Sequence, residues 1–88
     1  MVRDIARRVL DVPDVAELTG GPFGTVATYL PGGRIRGVAL RDDELEIAIA
    51  ARYGTPLPEI ADRVRSAVGD AAGDRPVNVT IDRLTVTT

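Results

Sequence analysis

Cysteine, histidine, tryptophan and lysine are all missing from this chain. Without cysteine there is no disulfide framework, no thiolate zinc site and no cysteine nucleophile, a pattern that fits a cytoplasmic protein. Without histidine the usual general base near neutral pH and the commonest metal ligand are gone. Aromatic residues are reduced to Phe23, Tyr29 and Tyr53. The core must therefore come from Val, Leu, Ile and Ala. No apolar run approaches the roughly 18 residues that a membrane span requires. Residues 2–8 carry charges where the apolar stretch of a signal peptide would lie.

What is present describes one small domain spanning residues 1–88, with no linker, repeat or low-complexity tract. Hydrophobic residues make up 44% of the chain, enough for a core and too many for disorder. The net charge is −2, and all eleven basic residues are arginine. This slightly acidic balance lacks the broad basic footprint of a nucleic-acid binder.

The apolar pattern sets the elements. Val2, Ile5, Ala6, Val9 and Leu10 form one stripe of a short amphipathic helix, with Arg3, Asp4, Arg7 and Arg8 opposite and Pro13 beyond its end. Such a helix must dock to form. Its arginines would also suit a membrane interface, but it lacks bulky apolar residues, and docking on its own sheet is the preferred reading. Residues 15–18 are a short apolar patch. Residues 24–30 and 34–41 read as a hairpin around the turn Pro31-Gly32-Gly33, with a bulge expected at Gly37. In residues 44–53, Leu45, Ile47, Ile49, Ala51 and Tyr53 share one strand face. Their opposite face begins with Glu44 and Glu46 and turns to Ala48 and Ala50, so its far end is expected to be covered. Gly54 ends the strand, Thr55 is the expected N-cap and Pro56 the first residue of a second helix. That helix has its apolar stripe on Leu57, Ile60, Ala61, Val64, Ala67, Val68 and Ala71, and an ion pair between Glu59 and Arg63. Residues 77–81 alternate as a last strand whose phase flips near Arg83. The expected fold is a small α/β (α+β) domain in the order α-β-β-β-α-β, with a mixed sheet and both helices on one face.

Few motifs carry chemistry. Gly21-Pro22-Phe23-Gly24 matches the GxxG loop of KH domains, but it leads into a strand and has no basic neighbour in sequence, so it reads as a turn. Asp42, Asp43, Glu44 and Glu46 cluster without the spacing of a calcium loop and read as a solvated turn and strand face. Arg34, Arg36 and Arg52 are the candidate partner-binding residues, a modest anion-attracting patch if the fold brings them together; the alternative is an ordinary charged sheet surface. RRM-like readout needs aromatics on the sheet, for which only Tyr29 and Tyr53 are available.

The stretch Ala51-Arg52-Tyr53-Gly54-Thr55-Pro56-Leu57-Pro58-Glu59-Ile60-Ala61 resembles the signature of the alkaline-shock, or envelope-stress-response, protein family. Ile5-Ala6 with Val9, Val12-Pro13-Asp14-Val15 and Val77-Asn78-Val79-Thr80-Ile81 are similar to its opening helix, its Val-Pro-Gly-Val segment with Asp14 for glycine, and its closing strand. The resemblance implies a cytoplasmic, non-enzymatic protein of envelope stress and homeostasis. It would form homo-oligomers or dock to a membrane-anchored protein partner. No cofactor or catalytic residue is implied. Tyr53, Gly54, Thr55, Pro58 and Glu59 match the motif as structural positions: strand end, cap and helix start. A small KH- or RRM-like nucleic-acid-binding module is the alternative, although nucleic acid is not the expected partner.

Overall fold

A computed structural model describes residues 1–86. The elements are α1 (Val2–Leu10), β1 (Val15–Leu18), β2 (Ala27–Leu30), β3 (Gly33–Arg36), β4 (Val38–Leu40), β5 (Leu45–Arg52), α2 (Leu57–Val68), a 3-10 turn (Gly69–Ala72) and β6 (Val77–Thr85). The expected order holds with two refinements. Residues 15–18 form a strand, and the second strand of the hairpin splits at Gly37.

The strand β5 organises the sheet. Along one edge it pairs in parallel with β6 over its whole length, from Leu45↔Val77 to Arg52↔Thr85. Along the other edge it meets two short antiparallel strands in succession. β1 takes its far half (Leu18↔Ile49, Val15↔Ala51), and β4 takes its near half (Val38↔Ile47, Leu40↔Leu45). The handover occurs at Ala48, whose carbonyl accepts the Thr19 N–H at 2.9 Å while its own N–H donates to the Gly37 carbonyl at 3.0 Å. β1 and β4 are thus one strand interrupted by an excursion of residues 19–37. The sheet is mixed, as expected. The β2–β3 hairpin is a correction: it forms a separate two-stranded ribbon within that excursion instead of joining the sheet.

Gly37 makes the interruption possible. It sits at φ +89°, where a Cβ would lie 2.6 Å from Leu18 Cβ and 3.0 Å from the Ala48 carbonyl oxygen. Only glycine fits both the backbone angle and the space. Its N–H donates to Val26 O at 2.8 Å, which ties the ribbon to the sheet edge. Thr28 adds a hydroxyl bond to Val38 O at 2.6 Å.

Both helices pack on one face of the sheet. Ile5 and Val9 of α1 meet Ile60, Val64 and Val68 of α2 over Leu45, Ile47 and Ile49, and all of these side chains are fully buried. Arg8 reaches across to the Val68 carbonyl at 3.1 Å and caps the C-terminal end of α2. The α1 stripe from Val2 to Val9 is therefore spent on the domain's own core, and Leu10 at its end stays exposed. The opposite sheet face is covered where its residues become small, as expected. Ala48 is buried against Val26 and Ala39. Ala50 lies in register between Glu17 and Arg83, whose side chains form an ion pair across it.

Three local readings are corrected or resolved. Tyr53 does not continue the buried face of β5: the strand ends at Arg52 and the tyrosine is exposed. The N-cap of α2 is Pro56 rather than Thr55, and no side chain caps it. The phase flip in β6 is a bulge, because Ile49 pairs with Ile81 while Ala50 pairs with Arg83, leaving Asp82 as the extra residue.

Candidate functional site

Among the described residues, eight of the eleven arginines are engaged within the chain. Arg7 and Arg8 pair with Asp4, Arg41 with Glu46, Arg63 with Asp14 and Glu59, Arg65 with Asp62, and Arg83 with Glu17; Arg52 and Arg75 donate to carbonyls. The Glu59–Arg63 pair is the one expected from the helix spacing. Arg52 donates its Nε–H to Pro13 O at 3.0 Å, which fastens the chain between α1 and β1 to the end of β5. It does not join Arg34 and Arg36. Those two project from the same face of β3, two positions apart, and together with Gly20, Gly21 and Gly24 they line a hollow of about 230 Å³.

Two of the carboxylates near residue 44 are engaged. Glu46 accepts from Arg41 at 2.8 Å, and Glu44 accepts from the Asn78 amide. Among the described residues, no group of three acidic side chains is placed to hold a metal ion.

Asp14 is perturbed. The hydrogen bond from Arg63, then one from Thr55, hold its carboxyl below the ordinary 3.8, and the same contact raises Arg63. Asp14 is only 11% exposed and receives Arg63 Nη1 at 2.8 Å. Thr55, expected as the helix cap, lies one residue before the observed cap Pro56, and the Arg63–Asp14 pair binds the α1–β1 connection to α2. Pro58 and Glu59 lie in the first turn of that helix, where a missing N–H and a negative charge are both tolerated.

The outer edge of β6 is a second candidate. Among the described residues β6 pairs only with β5. Leu45 N–H donates to the Pro76 carbonyl, so the alternation of a parallel ladder turns the N–H and C=O groups of Val79 and Ile81 outward. Arg65 caps the neighbouring outward carbonyl, Val77 O, at 3.0 Å. At the far end of β5 and β6, Tyr53, Leu57 and Leu84 are exposed around a hollow of about 340 Å³. Sequence reading did not find this edge, because no pattern within β6 states which neighbour it lacks. The exposed Leu84 beyond the phase flip was the available signal.

The alternative nucleic-acid readings find little geometric support. The loop at residues 21–24 leads to β2 rather than to a helix, and Tyr29 stands on the separate ribbon while Tyr53 lies in the turn after β5, so among the described residues no aromatic stacking platform forms on the sheet. Among the described residues, no helix is long and apolar enough to cross a membrane. Comparison of the chain with protein-family models, with curated proteins and with solved structures finds no match.

Proposed function

We propose that this domain is a non-catalytic interaction module that self-associates by pairing β6 of one copy antiparallel with β6 of another. The outer edge of β6 carries the reading. It is the free side of a nine-residue strand, flanked by half-buried Val79 and Ile81 and uninterrupted by proline. An edge of this kind is a template for strand addition, and a two-fold axis lets the same edge serve both copies. The exposed Leu84 and Val86 lie at its end and would add apolar area.

The resemblance of residues 51–61 to the alkaline-shock signature supports a cytoplasmic role in envelope stress, with contact to the membrane made through an anchored protein partner. The lack of histidine and cysteine supports a non-enzymatic role.

Light scattering during size exclusion, over a range of concentrations, tests the proposal. The wild-type chain is expected to show at least twice the monomer mass as concentration rises. Val79→Pro removes an outward N–H that β5 does not use, so the internal ladder survives. This variant is expected to weaken association about tenfold or more, the loss of one to two hydrogen bonds, with an unchanged circular-dichroism spectrum. A wild-type protein that stays monomeric, or a variant that assembles equally well, contradicts the proposal.

A further inference from the structure

The excursion at residues 19–37 presents a second site, unrelated to the β6 edge. Arg34 and Arg36 are exposed, and among the described residues neither has a hydrogen bond or ion pair to a protein group. Most arginines of this chain find a carboxylate or carbonyl, so two adjacent free guanidiniums stand out. The hairpin register places Arg36 opposite Ala27 and Arg34 opposite Tyr29, which brings both cations against the loop of residues 20–24.

The glycines keep this hollow open. A Cβ at Gly20 would press on the Gly24 backbone at 3.2 Å and on Arg36 Nε at 3.4 Å. Gly21 and Gly24 hold φ of +79° and +69°, conformations that other residues rarely adopt, and a Cβ at Gly21 would press into buried Val26 at 2.9 Å, so the loop needs glycine at these positions. The loop is fixed from beneath: Val26 N–H donates to Gly20 O at 2.9 Å, and Gly24 N–H donates to Gly21 O at 3.1 Å.

We infer that this hollow binds the phosphate group of a small phosphorylated ligand. Two guanidinium forks over an open glycine floor suit a doubly charged tetrahedral oxyanion with several acceptor oxygens. A nucleic-acid strand is disfavoured. Among the described residues only Arg3 adds a further unpaired cation nearby, in the adjoining groove against α1, and the chain is net negative. Polyanion binding ordinarily engages a longer series of cations. Tyr29, in the cross-strand position beside Arg34, is 74% exposed and offers a ring to an aromatic group carried on the phosphate.

Titration of the isotope-labelled full chain, followed by nuclear magnetic resonance at constant ionic strength, tests the inference. The probes are inorganic phosphate, a nucleoside monophosphate, acetate and a single-stranded oligonucleotide. Phosphate is expected to shift the amides of Gly20, Gly21 and Gly24 and the Nε–H signals of Arg34 and Arg36, saturably and more strongly than acetate. Arg36→Gln and Arg34→Gln are each expected to weaken binding about tenfold. Arg75→Gln, remote from the hollow, should leave it unchanged. Tighter binding of the nucleotide, lost in Tyr29→Ala, identifies an aromatic phosphomonoester; equal affinities identify the phosphate alone, and both support the site. Phosphate shifts that do not saturate, acetate binding as tight as phosphate, affinities unaffected by either arginine variant, or an oligonucleotide that binds tightest with a steep salt dependence would overturn it.

Discussion

The two edges of β5 are built differently. On one side β6 runs alongside it for the full strand, with a single bulge at Asp82. On the other side the edge is divided between β1 and β4, and the chain between them leaves the sheet for residues 19–37 before returning. The divided edge is partly sealed, since Val26, Gly37, Thr28 and Val38 bond the excursion back to it. The continuous edge is left with outward backbone groups at Val79 and Ile81. The regularity that makes β6 a good partner for β5 also leaves its far side fit for another strand. The irregularity of the opposite edge partly seals that side and builds the arginine-lined hollow.

The divided edge is broken most severely at its junction. Gly37→Ala combines a positive φ with a Cβ driven into Leu18 and is expected to destabilise the domain by about 3 kcal/mol. Gly32→Ala, also at positive φ but with nothing within 4 Å of the new Cβ, is expected to cost only about 1 kcal/mol. Urea unfolding of the two variants side by side separates the crowding from the backbone angle. Equal losses would mean that the junction at Gly37 is not tightly packed.

A smaller effect is expected where Asp14 joins the α1–β1 connection to α2. Its carboxyl titrates below its ordinary 3.8 because Arg63 and Thr55 bond the ionised form. A depressed folded value means that the stabilisation is present above the unfolded value and is lost as pH falls through the folded one. The wild type is therefore expected to lose stability below about pH 4 by more than Asp14→Asn does. At pH 7 the variant should be less stable by about 1 kcal/mol, as for a partly exposed charge pair. Thermal melts at pH 7 and in acid check both. An unchanged acid profile in the variant would assign the loss to other carboxylates.

Local patterns in the sequence located much of this architecture. The stripe from Val2 to Leu10 located α1, because helical spacing and Pro13 both acted within ten positions of it. The alternation in residues 45–51 defined the buried face of β5, and the out-of-phase Ile35 and Leu84 announced irregularities at Gly37 and Asp82. Features that depend on distant partners were hidden. Residues 15–18 are too short to alternate clearly, and they become a strand only by pairing with residues 49–51. Tyr53 kept the phase of β5 but lay beyond the last paired residue, so it gained no cover. Of the candidate arginines, Arg34 and Arg36 shared a face by simple i, i+2 spacing. Arg52 was drawn to Pro13 by the antiparallel approach of β1, which no local pattern encodes. The loop at residues 20–24 had no basic residue beside it in sequence, and the hairpin register brought two.

Backbone hydrogen exchange of β6, measured at low and high protein concentration, tests strand addition at this edge most directly. Thr80 directs its N–H toward β5 and should be protected at every concentration. Val79 and Ile81 direct theirs outward and should exchange quickly in dilute solution and slowly when the chain associates. Exchange at Val79 and Ile81 that stays fast and independent of concentration would contradict assembly through β6.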